Sequence, residues 1–219
     1  MRMSFPYREF PYTNVLQAQL RTGRGKPRVW FATAPEGQVV VKGPVQEKEK
    51  EGCRKSETLK QCLGLPHANM RVHGNYLVWD CLFNYTVLER KIASSPFDSP
   101  TEVPVQEFHY PWDDSYIPTQ GLNILLALAF RKIVGAHDTC IQNFLVLPNE
   151  PVYSIDDSAL DKTTKRMWKD TVNPYVWEPV LETHWDSVQS HLRDWEGKME
   201  DEILLERLHS LQNRKGWRW

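Results

Sequence analysis

The loop Gly135-Ala136-His137-Asp138-Thr139-Cys140-Ile141-Gln142-Asn143 precedes two β-prone segments, and the second of these closes on Ile155-Asp156-Asp157-Ser158. Phosphoryl transfer uses side chains in that order. An aspartate on a loop can orient an acceptor hydroxyl and take its proton, and an asparagine soon after can hold a magnesium ion. A second aspartate beyond a hairpin can hold metal against nucleotide phosphates. Asp138, Asn143 and Asp156 are the candidates for these three tasks. Each also has a plain structural reading: Asp138 as the cap of a helix or turn, Asn143 as the start of a strand, Asp156 and Asp157 as the end of one.

Such residues need elements to hold them. From Arg28 to Gly43 the chain reads VWFATA, then PEG, then QVVVKG, two β-prone runs joined by a turn, which predicts an antiparallel hairpin. Lys42 ends the run Val39-Val40-Val41 on its second strand. The Glu- and Lys-rich stretch from Gln46 to Lys60 predicts a helix, with Leu59, Cys62 and Leu63 giving its end an apolar side and Gly64 and Pro66 stopping it. Met70 to Val72 and Tyr76 to Trp79, parted by His73-Gly74-Asn75, add two more strands.

Ser94 to Pro118, with Pro96, Pro100, Pro104, Pro111 and Pro118, predicts a long surface loop. Gly121 to Val134 carries Leu122, Leu125, Leu126, Ala129, Phe130 and Ile133 at helical spacing and predicts a buried helix. Phe144 to Leu147 and Val152 to Ile155 predict a short hairpin through Pro148 and Pro151. Near the C-terminus, Trp185, Val188, Leu192, Trp195 and Met199 form a stripe that Ile203, Leu204, Leu208 and Leu211 extend. A helix packed on its own core is the first reading of that stripe, and a partner-binding helix the second.

Composition narrows the class. With 219 residues, 41% hydrophobic, nine Trp, eight Tyr and eight Phe, the chain can build a sizeable core, which excludes a disordered protein. The formal net charge of -1 argues against a nucleic-acid partner, because neutralising a phosphate backbone calls for an excess of Lys and Arg. Cys53, Cys62, Cys81 and Cys140 show no CxxC pair, so reduced thiols in a cytoplasmic protein, without zinc, are expected. Pro6 and Pro11 interrupt the aromatic N-terminus, which lacks a signal-like apolar run, and the longest apolar stretch, Ile124 to Phe130, is too short to span a bilayer.

The spacing of Asp138 and Asn143, with the hairpin leading to Asp156, resembles the protein-kinase-like superfamily. Gly135-Ala136-His137-Asp138 is similar to the loop of its phosphoinositide-kinase-like branch, and Ile155-Asp156 to the start of that branch's metal-binding segment. The direct match covers a short part of the chain. It implies an α+β, two-lobed protein-kinase-like fold, with a small antiparallel-sheet N-lobe over 1–80 and a mainly helical C-lobe over 81–219. By this resemblance Asp138 is the catalytic residue, and Asn143 and Asp156 are the magnesium ligands. Lys42 sits where such kinases place the lysine that pairs with the α- and β-phosphates. The helix after it should supply an acidic partner. Glu47, Glu49, Glu51 and Glu57 are candidates, with Glu57 best placed in sequence. Gly23 and Gly25, in Thr22-Gly23-Arg24-Gly25-Lys26, fit a phosphate-covering turn, with Arg28 at the third glycine position.

The chain departs from the family at Thr139, where arginine or leucine is usual, and at Cys140, where serine/threonine kinases keep a lysine. Asp157 replaces the glycine after the metal-binding aspartate, and Ala159 to Trp168 is short for a regulatory activation segment. The expectation is an ATP- and magnesium-dependent phosphotransferase whose partners are a nucleotide and a protein or small-molecule hydroxyl. Two alternatives stand beside it: a pseudokinase that docks partners through its Trp-rich C-terminus, and an α+β interaction module in which the motif is a coincidence.

Overall fold

The computed structural model describes residues 5–18, 28–81, 91–92, 105–107, 117–136, 144–145, 151–155, 157 and 174–217. The chain mixes α and β structure and divides into two compact units, Met1–Lys50 with Ala68–Tyr110 and Glu51–His67 with Pro111–Trp219. Residues 81–110 group with the first unit, and most of the helix Glu47–Leu63 groups with the second.

The first unit is built on a sheet. Strands β1 (Thr13–Ala18), β2 (Arg28–Ala34), β3 (Gly37–Gly43), β4 (Met70–His73) and β5 (Tyr76–Asp80) form an antiparallel array in the order β4-β5-β3-β2-β1. Two short strands, β6 (Lys91–Ile92) and β7 (Val105–Glu107), extend it beyond β1, with β7 parallel to β1. The segment expected to be loop from Ser94 to Pro118 therefore contributes a strand. The β2–β3 hairpin runs in unbroken register from Arg28↔Gly43 to Ala34↔Gly37, turning at Pro35 and Glu36. Gly37, at φ 140°, takes a backbone conformation that side-chain-bearing residues rarely adopt. Helix α1 (Glu47–Leu63) follows β3.

The two faces of this sheet differ. Trp30, Ala32, Val39, Val41 and Val78 lie on one face and are sealed by Phe5 and Phe10, with Phe5 edge-on to Trp30 at 5.6 Å and Phe10 edge-on to Tyr76 at 5.4 Å. Burying each such ring contributes roughly 1.5–3 kcal/mol, which gives the aromatic N-terminal stretch a structural task. On the other face Phe31 is buried among Leu16, Val29, Val40 and Cys81, all of them only partly covered.

The second unit gathers the later turns of α1 with helices α2 (Ile117–Val134), α3 (Pro174–Glu196) and α4 (Glu202–Leu211), the strand pair β8 (Phe144–Leu145) and β9 (Tyr153–Ser154), and a closing 3-10 turn, Arg214–Trp217. Every residue of α2 from Ile124 to Arg131 is buried, so the expected core helix is present, starting four residues earlier than Gly121. Gly121 lets α2 approach α3 closely, since a Cβ there would stand 3.0 Å from Val180 Cγ1. Gly64 (φ 71°) and Gly135 (φ 70°) end α1 and α2 in the same way. The following amide, of Leu65 or Ala136, reaches back to the carbonyl of Lys60 or Arg131.

Val188, Leu192, Trp195, Met199, Leu208 and Leu211 are buried in one core with α2, which bears out the core reading for these members of the C-terminal stripe, whereas Ile203 is exposed. The stripe belongs to two helices, because Asp201 accepts from the amides of Ile203 and Leu204 and starts α4 afresh. Among the described residues no helix is long and apolar enough to cross a membrane.

Candidate functional site

In the first unit, Lys42 stands at the end of β3, paired in register with Val29 of β2 and Leu77 of β5. Strand alternation puts it two residues from Val40, on the half-covered face around Phe31. Its Nζ lies 2.8 Å from Glu49 Oε1, and both side chains are largely covered, at 13% and 24% exposure. The sequence reading favoured Glu57 as the acidic partner. Glu49, another of the candidate glutamates, is ion-paired with Lys42, and Glu57 pairs with Lys60 at 2.8 Å. The reason lies in the short connection: β3 ends at Gly43 and α1 begins at Glu47, so the first helical turn already carries a glutamate beside the strand end. Lys50 fixes that turn by donating to the Gly74 carbonyl at 3.1 Å and pairing with Glu47.

A cationic group and a planar, half-covered apolar surface thus share one sheet face. That combination suits a ligand with a flat ring and an anionic tail. The apolar residues can cover the ring, and the ammonium, held in place by Glu49, can meet the anion.

In the second unit a buried polar cluster surrounds the end of β9. Asp157 is 3% exposed, and both its carboxylate oxygens face cations. Oδ2 lies 2.7 Å from Lys60 Nζ of α1, and Oδ1 pairs with the Arg131 guanidinium of α2 while accepting from Ser154 Oγ at 2.8 Å. The same cations tie down backbone. Lys60 donates to the Ser154 carbonyl at 2.7 Å, Arg131 donates to the Ile155 carbonyl at 2.6 Å, and Ser56 Oγ donates to the Asp157 carbonyl. Burial alone would lower the Lys60 pKa, but the charges of Asp157 and Glu57 outweigh it and hold the ammonium above its usual value. Lys60 Nζ also lies 5.6 Å from the centre of the Phe130 ring.

Sequence reasoning missed Lys60, Arg131 and Asp157 as a group. Lys60 reads as the solvated end of a charged helix and Arg131 as the polar tail of an apolar one. The available signal was the doubled aspartate, since two adjacent carboxylates at a strand end call for cations nearby. Asp138, Asn143, Asp156, Gly23 and Gly25 lie outside the described residues, as do Thr139 and Cys140. Among the described residues no cluster of three or more His, Cys, Asp or Glu side chains is gathered as a metal site. No protein-family model matches this sequence, and no curated protein matches it.

Proposed function

We propose that this chain is an ATP- and magnesium-dependent phosphotransferase of the protein-kinase-like type, acting on a protein or small-molecule hydroxyl. One observation carries the reading. A lysine on the third strand of an antiparallel sheet is ion-paired with a glutamate on the helix that follows, the arrangement by which protein kinases hold the α- and β-phosphates of ATP. The apolar face of Leu16, Val29, Phe31 and Val40 beside Lys42 fits the base of the nucleotide.

In this scheme Lys42 binds the α- and β-phosphates, and Glu49 keeps its ammonium aimed along the sheet face. Asp138 takes the proton of the acceptor hydroxyl as its oxygen bonds to the γ-phosphorus and the bond to the β-phosphate oxygen breaks, leaving ADP. Asn143 and Asp156 would hold magnesium, which would neutralise charge on the transferring group. The glycines at 23 and 25 fall between β1 and β2, the connection that covers the phosphates in the family.

The test is transfer of labelled γ-phosphate to an acceptor or to the protein itself, with Asp138→Asn as control. Transfer by the wild type that disappears in the variant supports the reading, and equal signal in both defeats it. A second reading, a nucleotide-binding pseudokinase, is favoured by Cys140 standing where serine/threonine kinases carry lysine. ATP with magnesium raising the melting temperature, with no transfer to any acceptor, would select it.

A further inference from the structure

The sheet face that carries Lys42 changes character along its length. Strand alternation puts Gln38, Val40 and Lys42 on one side of β3. Opposite them on β2 stand Thr33, Phe31 and Val29. The face is therefore neutral and polar at Gln38 and Thr33, apolar at Val40 and Phe31, and cationic at Lys42, and the pairing register lengthens the apolar part with Leu16 on one side and Trp79 on the other. Gln38 and Lys42 lie about 13 Å apart along the strand, a span that an extended nucleotide bridges from its phosphates to the far edge of its base.

With phosphates at Lys42 and the base over the apolar part, the edge of the base falls at the polar end. Cys81, which packs against Phe31, closes that end by donating its amide to the Gln38 carbonyl at 2.8 Å. The Thr33 hydroxyl accepts from Asn14 Nδ2 at 3.3 Å. The Gln38 side chain is half-buried, and among the described residues no group is bonded to its amide. We infer that Gln38 sets the choice of base and selects adenine over guanine. Its Oε1 accepts from the exocyclic N6 amine and its Nε2 donates to N7, a pairing that adenine completes. Guanine presents two acceptors at the same edge, O6 and N7, so whichever way the amide is turned one of them meets Oε1 and a hydrogen bond is lost. This rests on the phosphotransferase reading and deepens it by naming the group that reads the base.

The experiment is calorimetry on the full chain in magnesium, with ATP, GTP and 7-deaza-ATP as ligands, for wild type, Gln38→Leu and Gln38→Arg. Wild type is expected to favour ATP over GTP by roughly tenfold or more, and Gln38→Leu to bring the two within about threefold of each other. Gln38→Arg should turn the preference to GTP, because a guanidinium fork donates to both O6 and N7. The analogue 7-deaza-ATP, which lacks the N7 acceptor, should bind wild type about fivefold more weakly than ATP and bind Gln38→Leu no differently from ATP. Each comparison is a ratio taken on one protein sample, so a change in the folded fraction cancels. Wild type that binds none of the three ligands overturns the phosphotransferase reading, and this inference with it. Wild type that binds ATP and GTP alike, or variants that keep the wild-type preference, overturns the role of Gln38 and leaves that reading standing. If Gln38→Leu does not fold, Gln38→Arg decides by the same ratio, and an unchanged preference for ATP there rejects the inference.

Discussion

Replacing Lys60 by methionine removes a single charge from a place where water cannot substitute for it. The Nζ serves three oxygens, Asp157 Oδ2 at 2.7 Å, Glu57 Oε1 at 2.8 Å and the Ser154 carbonyl at 2.7 Å, and the side chain is 2% exposed. Breaking a buried ion pair by deleting one partner costs roughly 3–5 kcal/mol. Two features place this case at the lower end. Asp157 keeps Arg131, and Glu57, at 17% exposure, can turn toward solvent. Methionine also regains apolar contact with Phe130. The expected loss is about 3 kcal/mol, against about 0–1 kcal/mol for a surface pair. With two compact units the chain need not unfold in one step, so the loss is best read by native-state hydrogen exchange at amides of α1 and α2. Because the folded-state pKa of Lys60 is raised, its contribution is fully present below the ordinary value of 10.5 and is lost only as pH climbs through the folded value. The difference between wild type and variant should therefore be flat across neutral pH. A loss under about 1 kcal/mol, or one that varies between pH 6 and 8, would refute the view that this ammonium anchors the cluster.

Three other perturbations probe separate parts of the chain. Burial pulls Lys132 down to about 8, so between that value and 10.5 the unfolded chain binds the extra proton and stability rises with pH, by at most about 1.4 kcal/mol per unit; Lys132→Met should flatten that rise in urea titrations. Asp201→Ala leaves the amides of Ile203 and Leu204 without their acceptor and should cost about 1 kcal/mol, seen as faster exchange in the first turn of α4. Glu49→Gln keeps the shape of the helix start but removes the carboxylate charge 2.8 Å from the Lys42 ammonium. It should weaken binding of a fluorescent ATP analogue about fivefold, the equivalent of about 1 kcal/mol, and a larger loss in Glu57→Gln would restore the assignment made from sequence.

The elements most readable in the sequence were those with local signals. The β2–β3 hairpin announced itself through Pro35-Glu36-Gly37 between β-branched runs, α1 through its Glu and Lys content and Gly64, and the β4–β5 turn through Gly74-Asn75. The start of α2 was missed because Pro118 reads as a loop residue, although proline fits the first turn of a helix, where its missing N–H costs nothing. Strand β1 carries a register shift between Thr13 and Leu16 and a positive φ at Asn14, so no clean alternation marks it. Its parallel pairing with β7 joins residues far apart in sequence, which no local pattern encodes.

The site was legible to a similar degree. Lys42 could be placed from the valines before it, but the choice between Glu49 and Glu57 depended on where α1 begins relative to β3. In α1 the buried positions are Lys50, Gly52, Cys53, Ser56, Lys60 and Leu63, and three of the six, Lys50, Ser56 and Lys60, are polar. Hydrophobic periodicity passes over such a set and selects Cys62, which is exposed. Ser56 and Lys60 are inside because Asp157, about a hundred residues later, needs them there.

The unequal finish of the sheet's two sides bears on how the protein can be handled. Phe5 and Phe10 work as a lid of rings over Trp30 and the inner valines, while the opposite side stays half open around Phe31. A chain trimmed to begin at Thr13 would lose the two rings that cover Trp30 and the inner valines, baring a contiguous apolar face. Phe5 and Phe10 thus keep water and other copies of the chain away from that face.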